Sequence, residues 1–353
     1  MTLGKIGDYQ LVKPLGSGGM GDVYFAVSPT ADRVAIKVIK RHLIEAPTVR
    51  DRFATEVESL KLVYGSRVAR LEDADAYADP AWLAVEYVPG VTLRQHVDAR
   101  GPLSLPLVAM IGAMLADGLT KVHQVGLLHR DLKPQNIILG PEGPKLIDFG
   151  LAVLLEREDY LTEPGGFVGT PAYMSPEQVT GERDLTPAVD IYGLAATLVF
   201  ALTGHGLYPP TNSWNLLLRI SEPGDLPDLN GVPIDLAPLL GAMLAFDPSA
   251  RPSLDAVRTR LLEVATATSG KRVADLRREV GDLTYEGDTE LLIPPNLTDP
   301  QQDPEGETTS EETEPTPDPV PTKVDPELPT KTRADVTWLV DKMRRQYARR
   351  STL

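Results

Sequence analysis

The chain predicts an α+β protein of two lobes, a small strand-rich one followed by a larger helical one, with a disordered tail behind them. Three observations carry that expectation. Runs dense in Val, Ile, Tyr and Phe, bounded by Gly or Pro, end near Tyr87, and apolar residues beyond Leu103 recur at helical spacing. The stretch 286–330 then carries thirteen Asp or Glu against one Lys, with ten prolines. Such a segment cannot bury enough apolar surface to offset chain entropy.

Taken in order, strands are expected at 9–15, 23–27, 33–39 and 82–87. A helix is expected over 50–63, with an apolar face through Phe53, Val57, Leu60, Leu62 and Val63. Globular texture runs over 8–265, with the lobes dividing at about 88/89. Residues 266–285 read as a short helical linker, built on Val273, Leu276, Val280 and Leu283. Behind the acidic stretch, 331–353 reverses charge, with seven Lys or Arg against two Asp. There Val336, Leu339, Val340, Met343 and Tyr347 suggest an amphipathic helix.

Composition narrows the classes. An apolar fraction of 42% supports at least one sizeable core. The chain has no cysteine, which excludes disulfides and thiolate metal sites. Fifty acidic against 35 basic residues argue against general nucleic-acid binding. The first residues lack the long apolar run of a signal peptide. No stretch reads as the roughly 20 apolar residues of a membrane span, 191–202 being a short buried helix instead. A cytoplasmic protein is the expectation.

The chemistry concentrates in short motifs. Leu128-His129-Arg130-Asp131-Leu132-Lys133-Pro134-Gln135-Asn136 is followed, twelve residues after Asn136, by Asp148-Phe149-Gly150. Together these offer two oxygen ligands for Mg²⁺ or Mn²⁺, Asn136 and Asp148, and a separate carboxylate, Asp131. Upstream, Leu15-Gly16-Ser17-Gly18-Gly19-Met20-Gly21 contains G-x-G-x-x-G, a weak signal alone because dinucleotide-binding folds use it too. In those folds the glycines open a helix. Here Val23-Tyr24-Phe25-Ala26-Val27 follows, so they sit in a hairpin whose amides can cover phosphates. Val34-Ala35-Ile36-Lys37 supplies a strand lysine.

The order and spacing of these motifs resemble the eukaryotic-like (Hanks-type) protein kinases over residues 8–263. Within them, 53–63 and 82–90 look most like actinobacterial serine/threonine kinases. The resemblance implies a bilobal protein-kinase fold using ATP and Mg²⁺ (or Mn²⁺), with protein Ser/Thr hydroxyls as acceptors. It implies that Leu15, Gly16, Ser17, Gly18, Gly19, Met20, Gly21, Val23, Ala35, Lys37, Glu86 and Val88 hold the nucleotide, the hinge residues through their backbone. It implies that Lys37 is held by Glu56 on the 50–63 helix, with Glu58 as the competing choice. Asp131 orients the acceptor hydroxyl, and Lys133 reaches the γ-phosphate. A carboxylate is a weak base at neutral pH, so positioning and electrostatics must carry the rate. The resemblance further implies that His129 packs on Phe149, that Asp190 anchors the catalytic loop and that Glu177 pairs with Arg251. Arg130 awaits a phosphate on the activation segment, with Thr162 and Thr170 as candidate phosphosites. Thr170 also supports Asp131 and Lys133. Ser175 replaces the usual alanine of Ala-Pro-Glu. One departure stands out: the common His-Pro-Asn segment is replaced by Tyr64-Gly65-Ser66-Arg67-Val68-Ala69-Arg70.

In the tail, Thr308 and Thr309 are candidate phosphosites for a forkhead-associated reader, against plain solvated disorder. Dimerisation for trans-autophosphorylation is a further expectation. The rival function is a pseudokinase scaffold displaying a phosphorylatable tail; retention of Lys37, Asp131 and Asp148 disfavours it. A small-molecule kinase is disfavoured by the complete segment through Gly169-Thr170-Pro171 and Ser175-Pro176-Glu177.

Overall fold

A computed structural model describes residues 3–149 and 171–283, all inside one compact unit spanning 1–294. Thr162, Thr170, Thr308, Thr309, the acidic stretch and the basic end lie outside the described residues.

The smaller lobe is an antiparallel sheet of β1 (Lys5–Ile6), β2 (Tyr9–Ser17), β3 (Gly21–Val27), β4 (Arg33–Ile39), β5 (Leu71–Asp75) and β6 (Trp82–Glu86), in the order β1-β2-β3-β4-β6-β5. Period-two alternation divides its side chains. Tyr9, Leu11, Ala26, Val34, Ile36, Trp82 and Ala84 pack on one face. Ile39 and Leu83 face α1 (Pro47–Leu60) through Val49, Phe53 and Val57. Helix α1 lies one turn earlier than expected. Pro47 sits in its first turn, where a missing N–H costs nothing. Leu62 is left 59% exposed beyond its end. Strand β5 was not foreseen because Leu71-Glu72-Asp73-Ala74-Asp75 is an edge strand with solvated carboxylates and no apolar alternation.

Beyond the hinge come β7 (Val91–Thr92), α2 (Leu93–Arg100), α3 (Leu105–Gln124), β8 (Ile137–Gly140) and β9 (Gly143–Leu146). They are followed by α4 (Pro176–Val179), α5 (Ala188–Thr203), α6 (Ser213–Ile220), α7 (Ala237–Met243), α8 (Leu254–Ser269) and α9 (Val273–Asp282). Thr92 and Gln95 close a capping box at the start of α2. Two expectations are corrected here. Helix α3, with 20 residues and a mean hydropathy of 1.5, is long and apolar enough to cross a bilayer, contrary to the sequence reading. Its Ile111, Leu115 and Leu119 are nevertheless fully buried in the main core, so its apolarity is that of a central helix. The stretch read as a helical linker is also part of that core. Helix α8 runs on to Ser269, and α9 buries Leu276 and Val280 in the same cluster.

Candidate active site

Strand β4 is central in its sheet, flanked by β3 and β6, which fixes Lys37 opposite Val23 and Leu83. Its side chain is only 9% exposed, and Nζ lies 3.1 Å from Asp148 Oδ2. The glycine segment forms the predicted hairpin, closed by Gly18 N–H donating to Gly21 O at 2.9 Å. A Cβ on Gly21 would fall 2.1 Å from Val38 O, so only glycine permits this approach of β3 to β4. A Cβ on Gly16 would meet no atom within 4 Å, leaving open space beside the turn. Backbone with room beside it suits a phosphate chain.

The β8–β9 hairpin explains how Asn136 and Asp148 meet. Ile137 pairs with Leu146, and Ile147 N–H donates to Asn136 O at 3.0 Å, so the residues just outside the two strands are neighbours. Asn136 Nδ2 donates to Asp131 O at 2.8 Å and to Asp131 Oδ2 at 3.0 Å. With both amide hydrogens committed, its carbonyl oxygen is the pole left for a cation. Asp148 adds an anionic oxygen, and this hard-oxygen pair fits a divalent ion such as Mg²⁺. Lys133 Nζ reaches both Asp131 oxygens, at 2.9 and 2.7 Å. Arg130 and Asp148 both adopt φ of 63°, left-handed backbone held by its surroundings at the two turns that aim these side chains.

One predicted pairing is not made. Lys37 takes Asp148, while Glu56 on α1 faces Arg130, with Nη1 to Oε1 at 3.5 Å. The Arg130 partner was invisible in sequence because Glu56 and Arg130 are far apart along the chain.

Asp190, fully buried on α5, ties the catalytic loop to the helical lobe. Its Oδ2 accepts from His129 N–H at 2.8 Å and lies 2.7 Å from His123 Nε2; its Oδ1 accepts from Arg130 N–H at 2.8 Å. Burial opposes its charge, but these hydrogen bonds and the neighbouring histidines outweigh it and hold the carboxyl below its ordinary value. The His129 ring packs on Phe149 with centroids 4.4 Å apart, as expected. Its Nε2–H donates to Ile147 O at 3.1 Å, whereas Nδ1 is buried without a partner among the described residues, which favours the neutral ring. Complete burial lowers its pKa, against the pull of Asp190, Asp131 and Asp148. Both shifts make the unfolded chain the better proton acceptor, so stability rises with pH. The His129 contribution, full above 6.5, is lost as pH falls below that value, and the Asp190 contribution below 3.8. Melting temperature should drop between pH 7 and pH 5, and His129→Phe should flatten that slope; an unchanged slope would refute the assignment.

The segment 171–179 presents residues that sequence reasoning undervalued. Ser175 is fully buried, and its hydroxyl donates to Gln178 Oε1 at 3.2 Å. Gln178 Nε2 then donates to Arg130 O at 2.7 Å, tying the Ser-Pro-Glu motif to the catalytic loop. Glu177 and Arg251 make the predicted pair as a buried fork, at 2.6 and 2.8 Å. At the hinge, the Glu86 carboxylate is bonded to buried Lys145 on β9, and the Glu86 and Tyr87 N–H groups donate to Arg70 O and Arg33 O at 2.8 and 3.4 Å. Nothing in the sequence singled out Lys145.

A protein kinase domain family description matches residues 9–261. Over 250 residues the chain is 42% identical to the probable serine/threonine-protein kinase PkwA of Thermomonospora curvata, covering 71% of this chain and 33% of that protein. It is likewise 42% identical over 251 residues to the serine/threonine-protein kinase AfsK of Streptomyces griseus, covering 70% and 31%. The chain thus spans about a third of the length of the curated relatives it matches. A crystal structure of the Mycobacterium tuberculosis PknI kinase domain superposes with a TM-score of 0.59 at 26% identity, covering 74% of this chain and 97% of that one.

Proposed function

The chain belongs to the protein kinase family, and from that premise we propose that it transfers the γ-phosphoryl group of ATP to serine and threonine hydroxyls of proteins. The observation that carries this reading is one cluster: Asp131, Lys133 and Asn136 joined by hydrogen bonds, beside a buried Lys37 facing Asp148. A pseudokinase scaffold has no use for that arrangement. The family uses ATP with a divalent metal, and Mg²⁺, with Mn²⁺ as substitute, is the ion we assign to Asn136 and Asp148. Bound MgATP supplies the phosphoryl group and the cationic charge that offsets its transfer. The chain's residues do the positioning. Lys37 brings positive charge to the small-lobe side of the phosphates. Asn136 and Lys133 fix both oxygens of Asp131, leaving the carboxylate aimed for an acceptor hydroxyl. The glycine hairpin and the backbone of Glu86 and Val88 hold the nucleotide.

We further read Arg130 as shared between Glu56 and a phosphate on Thr162 or Thr170, added in trans within a dimer. Arrival of that phosphate frees Glu56 for Lys37. A forkhead-associated reader of Thr308 or Thr309, supported by the acidic surroundings of that threonine pair, and a cytoplasmic location complete the reading. The test is γ-labelled ATP with Mg²⁺ and phosphoamino-acid analysis. Label should appear on serine and threonine; no label above a heat-denatured control would overturn the function.

A further inference from the structure

The loop between α1 and β5, where the His-Pro-Asn segment is replaced, holds a buried cation to which no carboxylate among the described residues is bonded. Arg67 is 6% exposed, and its Nη1 donates to Glu142 O in the β8–β9 turn at 2.6 Å. Two glycines make its channel. A Cβ on Gly118 of α3 would lie 2.8 Å from Arg67 Cβ, and one on Gly143 would lie 2.9 Å from Arg67 Nη1. Neither position accepts a side chain while Arg67 stays in place. The backbone continues the connection: Leu146 N–H donates to Arg67 O at 2.8 Å, and Ala69 N–H donates to Leu146 O at 2.9 Å. Val68 and Leu146 form a parallel bridge. Two residues after Leu146 comes Asp148. The loop leaving the helix that carries Glu56 is therefore cross-linked to the strand that delivers Asp148.

The turn is supported from its other side. Helix α9 lies beyond residue 261, where the family match ends. A Cβ on its Gly281 would fall 2.7 Å from Pro141 O, so its backbone presses on the turn whose next carbonyl receives Arg67. Leu276 and Val280 hold α9 there, at 1% and 0% exposure.

We propose that Arg67 is a positioning residue for phosphoryl transfer. By bonding the β8–β9 turn, which α9 backs, it fixes the placement of Asp148 relative to Glu56. Its side-chain bond is to a turn carbonyl, not to a group of the candidate reacting cluster. The proposal rests on the kinase reading above and adds to it how the departed loop still sets the site.

The test uses the full chain with Arg67→Met, which keeps the apolar stem and removes the donor, and Arg67→Lys, which restores a donor. Gly281→Ala perturbs the turn from the α9 side and guards against an Arg67 variant that fails to fold. Arg67→Met should lower kcat about tenfold with a smaller change in the KM for ATP, because misplacement of a metal-binding carboxylate acts on the chemical step. Hydrogen exchange should quicken at 145–149 and 66–70 while α5 stays protected. Arg67→Lys should recover part of the rate, and Gly281→Ala should quicken exchange at the turn in the same sense. Wild-type kcat and unchanged exchange at 145–149 in Arg67→Met would overturn the proposal, as would uniformly faster exchange across the domain. An inactive wild-type chain would instead overturn the kinase reading, and exchange at 145–149 would still show whether Arg67 holds the strand.

Discussion

Lys37→Met and Asp131→Asn should each cut phosphoryl transfer by about 10³-fold or more, because each removes a group aimed at developing charge. Methionine matches the length and apolar stem of lysine, so the strand β4 packing survives. What disappears is the ammonium 3.1 Å from Asp148, which the proposed function assigns to the phosphates. Asparagine keeps the shape of Asp131 but loses the charge that holds Lys133 Nζ at 2.7 and 2.9 Å. The control is thermal melting, since neither replacement opens a cavity. Melting temperatures within a few degrees of wild type, together with lost label transfer, place the effect in chemistry. A wild-type rate in either variant would remove that residue from the mechanism.

Arg251→Met should give the largest loss of stability, about 3–5 kcal/mol, by leaving Glu177 buried without its counter-charge. The pair has 0% and 5% side-chain exposure, so solvent cannot replace the missing partner. Arg251 also donates to the carbonyls of Ala188, Ala245 and Phe246, at 2.9, 2.8 and 3.3 Å, and those bonds are lost with it. A fall of about 10 °C in melting temperature follows for a domain of this size. Adding Glu177→Gln should recover part of it, because the stranded charge is then removed as well. If the single variant melts like wild type, the fork is not a support of the fold.

The two-lobed architecture was legible because β2, β3, β4 and β6 are dense in apolar and β-branched residues between glycine or proline breaks. The candidate catalytic and metal residues were legible for a different reason: the chemistry needs several groups at fixed short spacings, and 128–136 with 148–149 supplies them on either side of one hairpin. Contacts between distant segments were not legible. The pairing of Glu56 with Arg130, of Lys145 with Glu86 and the insertion of Arg67 between Gly118 and Gly143 depend on how lobes pack, and no periodicity encodes them. Helix α9 was visible as an amphipathic period, but its burial depended on Gly281, whose missing side chain leaves no mark in a hydrophobic pattern.

The Glu86–Lys145 pair couples the mouth of the nucleotide cleft to its floor. Glu86 ends the last strand before the crossover between lobes, and Lys145 lies three residues before Asp148. Swinging the lobes apart strains a mostly dehydrated charge contact, with side chains 10% and 35% exposed, that screening ions reach poorly. Under the proposed function, opening of the lobes would load the strand that leads to Asp148, so cleft width and the placement of that carboxylate would vary together.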